Sequence, residues 1–273
     1  MRRGTKPCGV AGGKDRTLSS IPRLHVEGTL AEGAAAPLSP EQAHYLRNVM
    51  RREVGEPVHV FNARDGEFEA TIAALSRKGA VVEVDARRRT PEAEPDLWLL
   101  IAPVKRGPLE TIVQKATELG VSRLLPVITA RTNAQRLKDE RLAAIAVEAA
   151  EQCGRLSVPE IAPAQSLFDL LKAWPAPRRL MFCDEAGDDP GAEWGGKDGR
   201  AAPALEALSG ESAGPWAILI GPEGGFSPDE RAELRRCEFV RPVTLGPRIL
   251  RADTAAIAAL ALWQASLGDF KRS

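Results

Sequence analysis

The most constraining stretch runs from residue 216 to residue 255. An apolar run, Trp216-Ala217-Ile218-Leu219-Ile220, breaks into Gly221-Pro222-Glu223-Gly224-Gly225-Phe226. Ser227-Pro228-Asp229-Glu230 follows, then a second strand-like run and a second turn, Leu245-Gly246-Pro247-Arg248-Ile249-Leu250-Arg251-Ala252-Asp253-Thr254, which leads into an alanine-rich helix. Two buried strands thus end in glycine loops, each opening toward a helix N-terminus. In an open α/β sheet, ligands collect outside the carboxyl ends of the strands. A glycine carries no Cβ, so its backbone can approach a ligand closely.

The pattern upstream extends this reading. Apolar runs at 97–102, 121–128 and 179–183 alternate with helical stretches at 109–119, 141–153 and 167–174. Gly120 and Gly154 follow the first two helices as C-terminal punctuation. Strands alternating with helices predict an α/β domain with a mostly parallel sheet over residues 97–273. The final helix is expected over 254–267. Residues 185–215, rich in Gly, Asp and Ala, read as a surface insertion with a short helix near 203–208. Within it, Gly191-Ala192-Glu193-Trp194-Gly195-Gly196-Lys197 mimics the start of a phosphate-binding loop. Asp198 follows in place of Ser or Thr and no helix pattern continues, so the match is read as chance.

Residues 21–89 read differently. A short helix over 42–50 precedes strands at 58–61, 67–75 and 80–84, with Asp65-Gly66 and Lys78-Gly79 as turns. His44, Arg47 and Arg51 recur at helical spacing and share a face, which either contacts phosphate or is merely solvated. Residues 90–96, with Pro91 and Pro95, form a linker, and residues 1–20 read as a disordered extension.

The chemistry is narrowed by what the loops lack. The three histidines lie at positions 25, 44 and 59, far from the glycine loops in sequence, and no nucleophile elbow exists. Catalysis through a histidine base is therefore disfavoured. The four cysteines are scattered, which points to reduced thiols in a cytosolic protein and to no metal. The net charge is zero, so only local clusters can favour nucleic acid. No apolar run approaches the roughly 20 residues of a membrane span. Near the loops remain Glu223, Arg248, Arg251, Asp253 and Thr254, with many backbone amides. Asp253 is either part of the chemistry or a cap on the last helix.

Four blocks in order carry a resemblance: His44-Tyr45-Leu46-Arg47-Asn48-Val49-Met50-Arg51, Gln114-Lys115-Ala116-Thr117-Glu118-Leu119-Gly120-Val121, Glu148-Ala149-Ala150-Glu151-Gln152-Cys153-Gly154-Arg155, and the two glycine loops. Together they resemble the RsmE family, 16S rRNA uracil-N3 methyltransferases of the SPOUT superfamily, over nearly all of residues 21–268. The resemblance implies an N-terminal PUA-like β-barrel followed by a knotted α/β methyltransferase domain, working as a cytoplasmic homodimer. It implies S-adenosylmethionine as cofactor, held by Asp184, by Leu219, Ile220, Gly221, Pro222, Glu223, Gly224 and Gly225, and by Leu245, Gly246, Pro247, Ile249, Leu250 and Thr254. The implied substrate is 16S rRNA in the small ribosomal subunit, at N3 of uridine 1498. Arg251, or alternatively Arg248, is expected to stabilise the developing anion, with Asp253 or Glu118 as base or arginine-orienting partner. RNA contacts are expected from Arg23, His44, Arg47, Arg51, Lys105 and Arg106. The family often carries Glu where this chain has Asp253, and residues 185–215 have no clear family counterpart. Two other readings are a related enzyme acting at another RNA position and a non-catalytic ribosome-assembly factor.

Overall fold

The computed structural model describes residues 21–132 and 139–271, so the reading of residues 1–20 lies outside the described residues. The described residues form two sheets. The first is built from β1 (Arg23–His25), β2 (Ala35–Leu38), β3 (Pro57–Asn62), β4 (Gly66–Leu75) and β5 (Ala80–Arg89), in spatial order β1-β3-β4-β5-β2. β1 runs parallel to β3, and the other pairs are antiparallel. Register shifts between β4 and β5 mark bulges, which sharpen the twist and curl the sheet. One face buries Val58, Val60, Phe68, Ile72, Val82 and Val84 with Leu24 and Leu46. β5 reaches Arg89, beyond the expected end at residue 84, because Gly66 receives its carbonyl: a Cβ at Gly66 would lie 2.1 Å from Arg89 O.

Between β2 and β3 lies α1 (Pro40–His44), continued by a π-helical turn over Tyr45–Val49. Ser39 and Gln42 form a reciprocal capping box, with Gln42 N–H donating to Ser39 Oγ at 3.2 Å and Ser39 N–H to Gln42 Oε1 at 3.0 Å. His44 and Arg47 are exposed on this element; Arg51 is exposed just past its C-cap Met50, with φ at 53°, so the helix ends before the third member of the expected face.

The second sheet begins with β6 (Leu97–Ile101), followed by α2 (Arg106–Glu118), β7 (Arg123–Ile128), α3 (Asp139–Cys153), β8 (Glu160–Ile161), β9 (Gln165–Ser166) and α4 (Leu167–Lys172). Then come β10 (Arg179–Cys183), α5 (Ala204–Ala207), β11 (Trp216–Ile220), α6 (Pro228–Arg236), β12 (Val240–Val243) and α7 (Ala252–Ser266). The spatial order is β12-β10-β11-β6-β7-β8, all parallel, with β9 also pairing β7. All five residues of β11 are buried, as an apolar run without alternation requires. Trp216, Ile218 and Ile220 face the layer of α2, α3 and α7, while Ala217 and Leu219 face α4 and α6.

After β12 the chain passes between the two ends of the connection that leaves β10. Thr244 N–H donates to Ala202 O at 2.9 Å and Ala204 N–H to Thr244 O at 3.1 Å. Thr244 Oγ1 donates to Glu185 Oε2 at 2.9 Å, and Leu245 N–H to Glu185 Oε1 at 2.8 Å. Residues 185–215 are therefore more than a surface insertion. Ala204 and Leu208 are buried in the main core, and residues 186–195 turn inward over the sheet edge.

The two sheets meet through Arg23. Its guanidinium donates to Glu67 Oε2 at 3.1 Å, Ala150 O at 2.7 Å and Arg155 O at 2.6 Å, and it lies 3.4 Å from the Phe61 ring centroid. The side chain is only 11% exposed, so the expectation that Arg23 contacts RNA is corrected: its donors are spent on the junction.

Candidate functional site

A cavity of about 1000 Å3 opens at the carboxyl ends of β10, β11 and β12. Its walls come from the three loops that follow those strands and from the start of α7. Ile220, Gly221, Pro222, Glu223, Gly224 and Gly225 line it, as do Leu245, Ile249, Leu250 and Arg251. Gly221 is required by packing, because a Cβ there would lie 2.6 Å from the Phe226 ring. That ring sits edge-on to Phe182 with centroids 5.0 Å apart, which fixes the floor of the glycine loop.

The glycine loop is anchored at its far end by α6. Ser227-Pro228-Asp229-Glu230 forms a capping box, with Ser227 N–H donating to Glu230 Oε2 at 2.8 Å. Glu230 is buried, and its other oxygen accepts from Ala130 N–H at 2.6 Å, tying in the loop after β7. From that loop Arg131 reaches across the cavity wall and donates to Gly224 O at 2.7 Å.

Several expected residues are placed otherwise. Leu219 points into the opposite core layer and does not line the cavity, because side chains alternate along a strand. Asp184 lines it but is 2% exposed and already neutralised. Its carboxylate accepts from Arg231 Nε at 2.9 Å and Arg235 Nε at 3.0 Å. It is a structural anion that holds the residue 186–195 loop to α6. Glu118 sits at the C-terminal end of α2, at the opposite edge of the parallel sheet, and pairs with Lys115 Nζ at 2.8 Å. Within one chain this separates it from the cavity. Gly246, Pro247, Arg248 and Thr254 lie beside the cavity without lining it.

Arg251 and Asp253 divide at the helix start. α7 begins at Ala252, with Arg251 as N-cap, two residues before the expected start. Asp253 therefore falls in the first turn, where its Oδ1 accepts from Thr254 N–H at 2.8 Å, and it is absent from the cavity wall. Its carboxylate satisfies an orphan amide near the positive end of the helix dipole. Arg251 is exposed and lines the cavity; its carbonyl accepts from Ala255 N–H at 2.7 Å, but its guanidinium has no hydrogen-bond or ion-pair partner among the described residues. Cys183 also lines the wall, and burial pushes its thiol well above the usual range, so it stays protonated and inert.

Sequence reasoning missed Arg131, Arg231, Arg235 and Glu185. Only Glu230 carried a readable signal, the Ser-x-x-Glu spacing. Lys105 and Arg106 lie at the carboxyl end of β6, on the cavity's edge of the sheet, with Arg106 Nε donating to Glu110 at 2.7 Å.

A cavity at the carboxyl ends of parallel strands, joined to a small β module with exposed His44, Arg47 and Arg51, is the arrangement of a small-molecule site beside a second module. Residues 91–264 match the family described as RNA methyltransferase domain, and residues 38–85 match RNA methyltransferase PUA domain. The chain is 31% identical over 240 residues to ribosomal RNA small subunit methyltransferase E of Rickettsia conorii, covering 88% of this chain and 93% of the relative. It is 30% identical to the protein of the same name from Bacillus subtilis, covering 87% and 94%. The structure of that enzyme from Neisseria gonorrhoeae, bound to S-adenosyl methionine, matches with a TM-score of 0.77 at 25% identity, over 92% of this chain and all 100% of the other. A methyltransferase from Legionella pneumophila, in complex with the bound cofactor SAM, matches with a TM-score of 0.74 at 30% identity and the same coverages, 92% and 100%. The chain belongs to the ribosomal RNA small subunit methyltransferase E family, and its fold is the SPOUT-type α/β fold with an N-terminal PUA-like domain.

Proposed function

We propose that this protein transfers the methyl group of S-adenosylmethionine to N3 of a uridine in small-subunit ribosomal RNA, at position 1498 of 16S rRNA. The observation that carries the proposal is Arg251, an unpaired guanidinium on the wall of a cavity built from three strand-end loops. The cavity fits the cofactor chemically. Apolar side chains of Ile220, Leu250 and Ala255 suit an adenosyl group, and the glycine-loop backbone supplies edge contacts. Ile220, Gly221, Pro222, Glu223, Gly224 and Gly225 would hold it with Leu245, Ile249 and Leu250. When bound, the cofactor supplies a methyl group activated by sulfonium charge, which needs no metal.

The chain's own residues do the rest. Uracil N3 carries a proton and is a poor nucleophile until that proton leaves. Arg251 stabilises the imide anion that develops at the base, a role worth most in a site shielded from water. Holding N3 in line with the methyl contributes the larger share, about 7–11 kcal/mol for well-oriented reactants. His44, Arg47 and Arg51 bind phosphates on the PUA-like face, and Lys105 extends that surface along the sheet edge. In the same proposal residues 21–89 form the RNA-binding unit, residues 97–273 the catalytic one, and two copies work as a homodimer.

The test is nucleoside mass spectrometry of small-subunit RNA incubated with the protein and S-adenosylmethionine. N3-methyluridine is expected. A different methylated nucleoside would overturn the assignment of the base.

A further inference from the structure

Trp194 occupies a loop that the methyl-transfer reading leaves without a task. It lies in the stretch that mimics a phosphate-binding loop, within residues 185–215. Its backbone is left-handed, with φ at 55° and ψ at 29°. Such a conformation is uncommon for a bulky side chain, and strained residues of this kind cluster at functional sites. We propose that Trp194 is the stacking platform for the RNA base that enters the cavity. The proposal rests on the reading of the chain as an RNA methyltransferase.

The turn fixes the backbone on which the indole is carried. Gly187 N–H donates to Trp194 O at 2.9 Å, and Asp189 N–H donates to Gly195 O at 3.0 Å. The two strands of this turn run so close that a Cβ at Gly187 would lie 2.1 Å from Gly195 O. Arg231 then donates to Gly187 O at 3.0 Å and Ala186 O at 2.9 Å, fastening the turn to α6. The strained tryptophan is thus over-determined by its surroundings, which is the condition for strain to persist.

Its placement selects the ligand. The ring forms part of the cavity wall, yet the residue is 37% exposed, so it stands at the rim. It touches the glycine loop: a Cβ built on Gly225 would be 3.4 Å from Trp194 Cζ3. A rim side chain meets what arrives from outside, whereas Ile220 and Ala255, whose apolar side chains suit the adenosyl group, are buried. The cavity, at about 1000 Å3, stands at the top of the range for small-molecule sites and leaves room for a base beside the cofactor. A target base must leave its stack to be modified, and an aromatic face replaces the stacking it loses.

Two variants of the full-length chain test this. Trp194→Gly removes the indole and suits the left-handed backbone, so the turn keeps its shape. Trp194→Phe retains an aromatic face. With small-subunit RNA as substrate, Trp194→Gly is expected to raise KM for RNA about tenfold, while Trp194→Phe stays within about twofold of wild type. Calorimetry is expected to give the same affinity for S-adenosylmethionine in all three proteins. Weakened cofactor binding in Trp194→Gly would show that the indole faces the adenosyl group and would overturn the proposal. Unchanged KM and unchanged cofactor affinity would overturn it as well. If the wild type binds cofactor but methylates no RNA, the functional reading fails on its own. Stacking is then read from indole fluorescence: quenching by a uridine-containing oligonucleotide in the wild type and its loss in Trp194→Phe support the platform, and equal quenching in both refutes it.

Discussion

The junction between the two sheets and the cavity are both rich in arginine, but only the junction commits all of it: the cavity spends Arg131 and Arg231 on its own wall and leaves two arginines at its mouth uncommitted. At the junction every guanidinium is committed. Arg23 donates to Glu67 and to two carbonyls at the end of α3, Arg89 donates to Gly154 O at 2.6 Å, and Arg155 donates to Thr117 O at 2.9 Å and pairs with Glu94 at 2.6 Å. At the mouth, Arg248 and Arg251 are exposed and have no ion-pair partner among the described residues. The difference is one of acceptor supply. The end of α3 leaves carbonyls that a planar multi-donor fork can satisfy. The start of α7 presents N–H groups instead, which offer a cation nothing and repel it. An arginine held there keeps its charge for a ligand.

Removing one guanidinium from each region breaks this contrast most directly. Arg23→Ala is expected to lower stability by about 3 kcal/mol in chemical denaturation, because it strips buried acceptors of their donor. RNA affinity of the folded protein should stay unchanged; a selective loss of RNA binding would restore Arg23 as an RNA contact. Arg251→Ala should do the reverse. The methylation rate falls about 100-fold, the equivalent of about 2.7 kcal/mol, with no change in melting temperature. A wild-type rate in Arg251→Ala would remove the electrostatic role.

Titration sharpens the junction side. Glu151 accepts from His25 N–H at 3.0 Å, and burial pushes its carboxyl up from 4.5 to about 7. The folded state therefore holds this proton more tightly than the unfolded chain. Its contribution to stability is fully present below about pH 4.5 and is lost as pH rises through about 7. The loss is on the order of 3 kcal/mol, and Glu151→Gln should flatten that part of the stability–pH curve, as read from urea midpoints across the range. The smallest effect belongs to the exposed face. Arg47→Glu should weaken RNA binding about fivefold at low salt and reduce the salt slope by about one, leaving cofactor affinity intact. Equal loss of both affinities would point to misfolding.

The elements were largely legible in the chain. The run at 216–220, the glycine loop after it, the helices ending at Gly120 and Gly154, and the capping box at Ser227 all follow from local rules that act over a few residues. Part of the cavity wall was legible for the same reason, because Ile220 to Gly225 and the loop that carries Leu245, Ile249, Leu250 and Arg251 leave the carboxyl ends of recognisable strands. Leu219 misled because it shares that segment but points the other way. Arg23 was expected to meet RNA, while burial supplied it with partners up to 132 residues away; Asp184, expected from the resemblance, does line the cavity but is bound to Arg231, 47 residues away.

By itself, then, the sequence determined the alternation of strand and helix, the glycine loops and the ends of the helices closed by Gly120 and Gly154, since hydrophobic period and backbone freedom are properties of neighbouring residues. Tertiary structure alone decided which charges are spent and which remain available. It also decided that residues 185–195, part of the stretch read as a surface insertion, line the cavity and carry Trp194 to its rim. That outcome depends on β12 continuing between Glu185 and Ala202, a crossing between segments far apart in the chain that no local pattern encodes.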